Sequence, residues 1–305
     1  MNMSEPTQFS TEGLRGEMFH NEPMSRHTSW RAGGRAKRMY RPADLADLQR
    51  FLQLTPADEP LIAVGLGSNL LVRDGGLNGT VLLMVGALTE LRMDGEHTIY
   101  AQAGVAGAKL ARFAASNHLC GAEFFVGIPG TLGGMLAMNA GCYGGETWQK
   151  VQRVQVLMRS GELLERTPKQ YEIGYRHVAL RNAGKEFFVG AWLQLESGDV
   201  EAARQEIKAL MEKRSASQPL QLPNAGSVFR NPPGGHAAKL IEGCGLKGRR
   251  IGGAQVSEKH ANFIVNVGGA TAADIENLIE EVRETVLRRT GIELHPEVKI
   301  VGERI

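Results

Sequence analysis

The chain has 305 residues, and its 35 lysines and arginines nearly balance 33 aspartates and glutamates, for a formal net charge of +2. Chains of this length more often divide into two or three compact units than fold around one core, so more than one domain is expected. With no dense basic run, the composition excludes a nucleic-acid or anionic-membrane binder and leaves room for a small anionic ligand.

Met1 to Ser10 is polar, without the apolar stretch of a secretory signal, and the most apolar later segment is broken by Gly127, Pro129, Gly130, Gly133 and Gly134. No membrane span and a cytoplasmic location are therefore expected. A helix begins near Asp44 and sets Leu45, Leu48, Phe51 and Leu52 on one face. Apolar runs with β-branched character, Leu61 to Val64, Thr80 to Val85 and Thr98 to Ala103, read as strands, and a second helix lies near Lys109 to Asn117. Val151 to Met158 and Phe187 to Leu195 read as further strands, and Ser160-Gly161 as a hairpin turn that argues against a purely parallel sheet. From Asp199 to Ser217 the pattern is helical and charged, with Val200, Ile207, Leu210 and Met211 apolar, and a domain boundary is placed there. In the last helix Thr271 and Asp274 form a capping box, Ile275, Leu278, Ile279, Val282 and Val286 the buried stripe, and Gly291 the stop.

The cysteines, Cys120, Cys142 and Cys244, are far apart and lack CxxC spacing, so they read as inert buried thiols. The histidines show no HxxxH or HExxH pairing, and no metal is expected.

Two glycine-rich segments carry the first chemical signal. Gly65-Leu66-Gly67-Ser68-Asn69-Leu70 begins like a dinucleotide fingerprint, but Leu70 replaces the third glycine and Leu71-Val72-Arg73 reads as strand, against an ordinary Rossmann domain. The turn still offers backbone N–H groups, the Ser68 hydroxyl and the Asn69 amide to a pyrophosphate; its plain alternative is a tight strand-to-strand turn. The second runs Gly127-Ile128-Pro129-Gly130-Thr131-Leu132-Gly133-Gly134 and on through Asn139, Ala140 and Gly141. So much glycine beside apolar residues suggests that something flat passes close to the backbone, although a loop packed on its own protein is the alternative. Two separated turns suit a long ligand with a diphosphate and a ring system, which fits FAD better than a mononucleotide.

Taken in order, Thr28-Ser29-Trp30-Arg31-Ala32-Gly33-Gly34, GLGSNLLV and GIPGTLGGMLAMNAGCYGGE resemble the UDP-N-acetylenolpyruvoylglucosamine reductases, also called UDP-N-acetylmuramate dehydrogenases. The likeness continues through Tyr175-Arg176, the segment Asn224 to Pro232, Leu246-Lys247-Gly248, the segment Ile251 to Ser257, and His295-Pro296-Glu297-Val298, covering nearly everything past about residue 20. It implies an α+β chain: a two-subdomain FAD-binding fold of the vanillyl-alcohol-oxidase type, followed by a C-terminal α/β substrate domain. The corresponding division is an N-terminal extension at 1–26, an FAD-binding domain at 27–198 split near residue 90, and a substrate domain at 199–305.

The resemblance also implies NADPH as reductant, non-covalent FAD, a UDP-sugar substrate and a monomer, in peptidoglycan precursor synthesis. By similarity, hydride reaches the terminal carbon of an enolpyruvyl group, and the resulting enolate is stabilised and then protonated. Arg176 would hold the substrate carboxylate where negative charge grows. Glu297 would complete that stabilisation in a protonated or proton-sharing form, because a bare carboxylate beside an enolate repels it. Ser227, placed by Ala225 and Gly226, would donate the proton. Lys247 and Asn231 match positions that hold the diphosphate, and Tyr175 is a candidate pocket residue; His260 has no assigned role. Taken alone, Ser227 reads as a turn residue, Arg176 as a surface ion pair and Glu297 as a solvated strand position; the joint pattern sets those readings aside.

The chain departs from many relatives in carrying Val178 where a serine follows the Tyr-Arg pair, and the short stretch from Pro232 to Leu240 resembles the subgroup without an inserted substrate-covering loop. The rival readings are an oxidase on the same flavin fold and a non-catalytic flavin- or nucleotide-binding module.

Overall fold

The computed structural model describes residues 12–182 and 184–305, and the polar stretch Met1 to Ser10 lies outside them. The first unit is a four-stranded sheet in the order Glu17–Pro23, Arg35–Arg41, Leu77–Leu83, Leu61–Val64. The first pair is antiparallel and the other two are parallel. Glu17–Pro23 is thus an edge strand of this sheet, so the segment expected as an N-terminal extension through residue 26 belongs in part to the first unit. Helix α1, Leu45–Leu54, starts where the Asp44 side chain accepts the Asp47 N–H. Its Leu48, Phe51 and Leu52 pack with Tyr40 and Leu82 of the first sheet and with Leu157 and Val189 of the second. One apolar seam therefore fastens the two sheets.

The second sheet is five-stranded and antiparallel, in the order Leu163–Arg166, Val151–Met158, Glu186–Gln194, Thr98–Gln102, Leu91–Met93. The hairpin expected at Ser160-Gly161 is present, with Gly161 at φ +85°. Helices α2, Gly107–Ser116, and α3, Leu132–Ala137, contribute to the core beneath this sheet. Helix α4, Val200–Ser217, buries Ala203, Ile207 and Leu210 in the same core. The change of core thus falls after Ser217, not at residue 199. Met211, read as one of the apolar positions of this helix, lies outside its buried face of Ala203, Ile207 and Leu210 and is 44% exposed.

The last unit sets the three antiparallel strands Arg250–Ile251, Ala254–Val256 and Ile264–Asn266 against α5, Ala237–Gly243, and α6, Ala272–Thr290. All five expected stripe residues of α6 are buried, its Thr271–Asp274 capping box is closed, and Gly291 ends it at φ +74°. The ties that bind this unit to the first include the Arg73–Glu276 ion pair at 2.9 Å and the Asp74 carboxylate, which accepts the Ala272 and Ala273 N–H groups. Trp30, fully buried, donates to the Ile264 carbonyl at 2.8 Å and its own carbonyl accepts from Asn266 at 2.9 Å. The terminal strand Lys299–Val301 pairs in parallel with Leu70–Val72.

Candidate active site

Gly65 to Leu70 forms one wall of a cleft of about 440 Å³, and Ile128, Gly130, Thr131, Gly134 and Ala140 form the facing wall. Gly67 sits at φ +60°, and a Cβ there would come within 2.0 Å of the His27 carbonyl oxygen. At Gly65 a Cβ would meet the Thr131 hydroxyl at 2.2 Å. The first turn therefore needs bare backbone, at Gly67 to pass His27 and at Gly65 to close on Thr131 of the second segment. Thr131 is 2% exposed, and its hydroxyl is buried without a hydrogen-bond partner. An orphan hydroxyl costs free energy unless a ligand pairs with it. This hydroxyl, the glycine cradle and the apolar Ile128, Met135 and Met138 suit a long ligand that combines polar linkages with a flat ring, the shape of FAD.

A second cavity, about 180 Å³, adjoins the cleft, sharing Ser68, Asn69, Ile128, Met138 and Ala140 with it. It brings together Arg176, Ser227 and Glu297, with Gly127, Pro129 and Gly141. Arg176 stands at the turn between strands Tyr171–Gly174 and His177–Leu180, at φ +53°, a left-handed conformation uncommon for a long side chain. Three contacts hold it: Nε to Glu297 Oε1 at 2.7 Å, Nη2 to the Gly141 carbonyl at 2.8 Å, and Nη1 to the Asn139 carbonyl at 3.4 Å.

Burial pushes the Glu297 carboxyl above the usual carboxylate range, and outweighs the opposing charges of Arg176 and Arg230. The Glu297 backbone N–H donates to the Val228 carbonyl at 2.7 Å, which seats the carboxyl beside Ser227. Gly226, at φ +73°, turns the chain into Ser227.

Asn262, which the sequence reading missed, fixes the strand that follows Ser227. Its carbonyl accepts from Val228 N–H at 2.9 Å, its Oδ1 from Phe229 N–H at 3.0 Å, and its Nδ2 donates to the Phe229 carbonyl at 2.8 Å. A polar amide inside the apolar run Ala261 to Val265 was the available signal, since a buried amide must be satisfied. His260 Nδ1 accepts the Asn262 backbone N–H at 3.3 Å, and burial lowers the imidazole pKa.

Three of the expected cofactor residues are also engaged within the protein. Asn69 lines both cavities while its Nδ2 donates to the Glu297 carbonyl at 3.1 Å and to Met138 Sδ at 3.5 Å. Asn139 is buried, and its side chain is engaged by Glu146, Gly174 and the Trp148 N–H; it braces the Arg176 hairpin from behind. Gly133 faces the sheet, where an added Cβ would sit 2.9 Å from that of Ala103.

Tyr175, Asn231 and Lys247 line neither cavity. Tyr175 is 48% exposed with the Arg176 guanidinium 5.0 Å from its ring centre. Asn231 accepts the Ala237 N–H at the start of α5, and Lys247 pairs with Glu242 at 2.7 Å. Val178 packs against the apolar core. Cys142 lines the smaller cavity, but burial pushes its thiol up to about 11 and its Sγ donates to the Phe124 carbonyl, so it is inert. Cys120 and Cys142 are only partly buried, whereas Cys244 is buried.

A glycine-walled cleft for FAD opening onto a cavity with an arginine, a glutamate and a serine defines an FAD-dependent oxidoreductase. Residues 36–167 match the FAD binding domain family, and residues 218–301 match the UDP-N-acetylenolpyruvoylglucosamine reductase C-terminal domain. The chain is 58% identical over 304 residues to the UDP-N-acetylenolpyruvoylglucosamine reductase of Thiobacillus denitrificans, covering 95% of this chain and 94% of that one. It is 60% identical over 288 residues to the reductase of the same name from Alkalilimnicola ehrlichii, covering 94% and 96%. The crystal structure of UDP-N-acetylenolpyruvylglucosamine reductase from Thermus caldophilus superimposes with a TM-score of 0.79 at 30% identity, covering 94% of this chain and 99% of that one. The chain belongs to the UDP-N-acetylenolpyruvoylglucosamine reductase family, and its cofactor is FAD.

Proposed function

We propose that this chain reduces the enolpyruvyl ether of UDP-N-acetylglucosamine to UDP-N-acetylmuramate, with NADPH as reductant, in peptidoglycan precursor synthesis. The observation that carries this reading is the meeting of Arg176, Ser227 and Glu297 on one cavity beside the glycine-walled cleft. FAD, held between the Gly65 to Leu70 turn and Ile128, Gly130 and Thr131, would supply the hydride chemistry that links NADPH to the terminal enolpyruvyl carbon. Arg176 holds the substrate carboxylate and meets the charge that grows there. Glu297, whose carboxyl pKa is raised by burial, stabilises the enolate oxygen by sharing a proton with it. Ser227 donates a proton to the adjacent carbon and so fixes the lactyl ether.

Tyr175, Asn231 and Lys247 are assigned to the outer part of the substrate, where the Asn231 Nδ2 donors and the Lys247 charge suit a diphosphate. We read the unit after Ser217 as the substrate domain and the enzyme as a cytoplasmic monomer without nucleic-acid or membrane partners. Among the described residues no helix is long and apolar enough to cross a membrane, and no cluster of metal-binding side chains occurs.

The test is anaerobic spectroscopy. NADPH should bleach the flavin absorbance, and UDP-N-acetylglucosamine enolpyruvate alone should restore it. A flavin that bleaches but ignores this compound would make the chain another flavoenzyme. Ligand binding without NADPH consumption would make it a binding module.

A further inference from the structure

Gln218 closes helix α4 and is the residue common to the catalytic cavity and a neighbouring groove of about 320 Å³, which Pro219 to Leu222, Gln255, Ser257 and Lys259 help to line. The catalytic cavity is about 180 Å³, smaller than the roughly 300–1,000 Å³ of pockets that enclose whole ligands of this class. A UDP-sugar whose enolpyruvyl end sits at Ser227 therefore extends out of it. The cleft on one side is the place of FAD, and the groove beyond Gln218 is the other way out.

The local hydrogen bonding fixes which end of the Gln218 amide faces this passage. Arg214 Nε donates to Gln218 Oε1 at 3.2 Å, and the Gln218 backbone N–H returns to the Arg214 carbonyl at 2.9 Å. A guanidinium has donors only, so the amide must turn its oxygen toward Arg214 and its NH2 away. Arg214 has no carboxylate partner among the described residues, and burial makes its charge costly to hold. A cation desolvated behind a neutral amide polarises that amide's N–H groups toward an anion.

We infer that Gln218 is a substrate-binding residue, its side-chain NH2 donating to a diphosphate oxygen of the UDP-sugar at the neck between the two cavities. Arg214 is its positioning residue, holding the amide in that sense and lending it charge. The inference rests on the UDP-sugar reading given above, and the experiment separates the two.

Wild-type holoenzyme is first reduced with NADPH and reoxidised with UDP-N-acetylglucosamine enolpyruvate; failure at this step removes the substrate reading itself. With that step secure, Gln218→Leu should raise the KM for the UDP-sugar about tenfold, the loss expected for one charge-assisted hydrogen bond. Turnover at saturating UDP-sugar should fall by less than the KM rises, the split expected when a binding contact is lost. Gln218→Glu keeps the side-chain volume and gains an ion pair with Arg214, so it tests the same point if the leucine variant fails to fold. It places a carboxylate against the diphosphate and should raise the KM further, about a hundredfold. A KM unchanged in either folded variant, beside an active wild type, overturns the assignment.

Discussion

Arg176 and Glu297 lie 121 residues apart in sequence and meet at 2.7 Å, one from the separate two-stranded hairpin Tyr171–Gly174/His177–Leu180 and the other from the segment entering the strand Lys299–Val301. The contact joins a backbone held at φ +53° to a buried carboxyl that titrates high. Two consequences of this pair can be separated by mutation.

The first concerns the backbone. Arg176→Gly and Arg176→Ala both remove the guanidinium and should both abolish rapid flavin reoxidation by substrate. Glycine accepts the left-handed conformation without strain, so Arg176→Gly should be more stable than Arg176→Ala by about 0.5–1 kcal/mol in urea unfolding. Equal stabilities would mean that the turn relaxes once the arginine is gone.

The second concerns pH. The Glu297 carboxyl releases its proton at a higher pH in the folded protein than in the unfolded chain, where the usual value is about 4.3. Between those two values the native state carries the extra proton. The contribution to stability is thus fully present at low pH and is lost as pH rises through the folded value. Glu297→Gln removes that titration. The stability of wild type relative to Glu297→Gln should therefore be greater near about pH 4 than near about pH 7.5. A difference that is flat, or that grows with pH, would contradict a raised value.

Ser227 and Asn262 should be distinguishable by what else they disturb. Ser227→Ala should leave bleaching by NADPH fast and slow reoxidation by about 100-fold or more, the range of a lost proton donor. Asn262→Leu should slow the same half-reaction about tenfold and also cost about 2–4 kcal/mol, since the Phe229 N–H and carbonyl lose their partners. Equal slowing of both half-reactions by Ser227→Ala would remove it from the donor role.

Thr131→Val gives a prediction of opposite signs. In the apoprotein it replaces an unpaired buried hydroxyl with a methyl group and should raise stability by about 1 kcal/mol. In flavin titration it should weaken FAD binding about tenfold, because the hydroxyl loses its chance to pair with the cofactor. A variant that binds FAD as wild type does would place the hydroxyl outside the contact.

What was legible beforehand follows the range of the forces concerned. The α6 cap, stripe and stop are local and were read directly, as was the hairpin at Gly161. The membership of α4 was not, because its buried face rests on Ala203, whose small side chain gives little periodic signal. Motif resemblance placed Arg176, Ser227 and Glu297, and the fold brings them onto one cavity. It did not distinguish residues that touch a ligand from residues that hold those that do. Asn139 shares a motif with the cofactor wall, yet its amide is engaged by Glu146 and Gly174, partners that only the folded chain supplies. Asn262 showed only as an amide in an apolar run, and its Phe229 partner too comes from the folded chain.

The pairing of Lys299–Val301 with Leu70–Val72 also sets an order of events in the cell. Lys299 and Val301 form part of the wall of the glycine-lined cleft, and the Lys299 N–H bonds to the Asn69 carbonyl at 2.9 Å. A cofactor pocket begun by residues near position 65 is thus completed by residues of the strand Lys299–Val301. Flavin loading must wait for that strand to be synthesised, and a chain cut before Lys299 would carry both glycine turns and still lack the finished pocket.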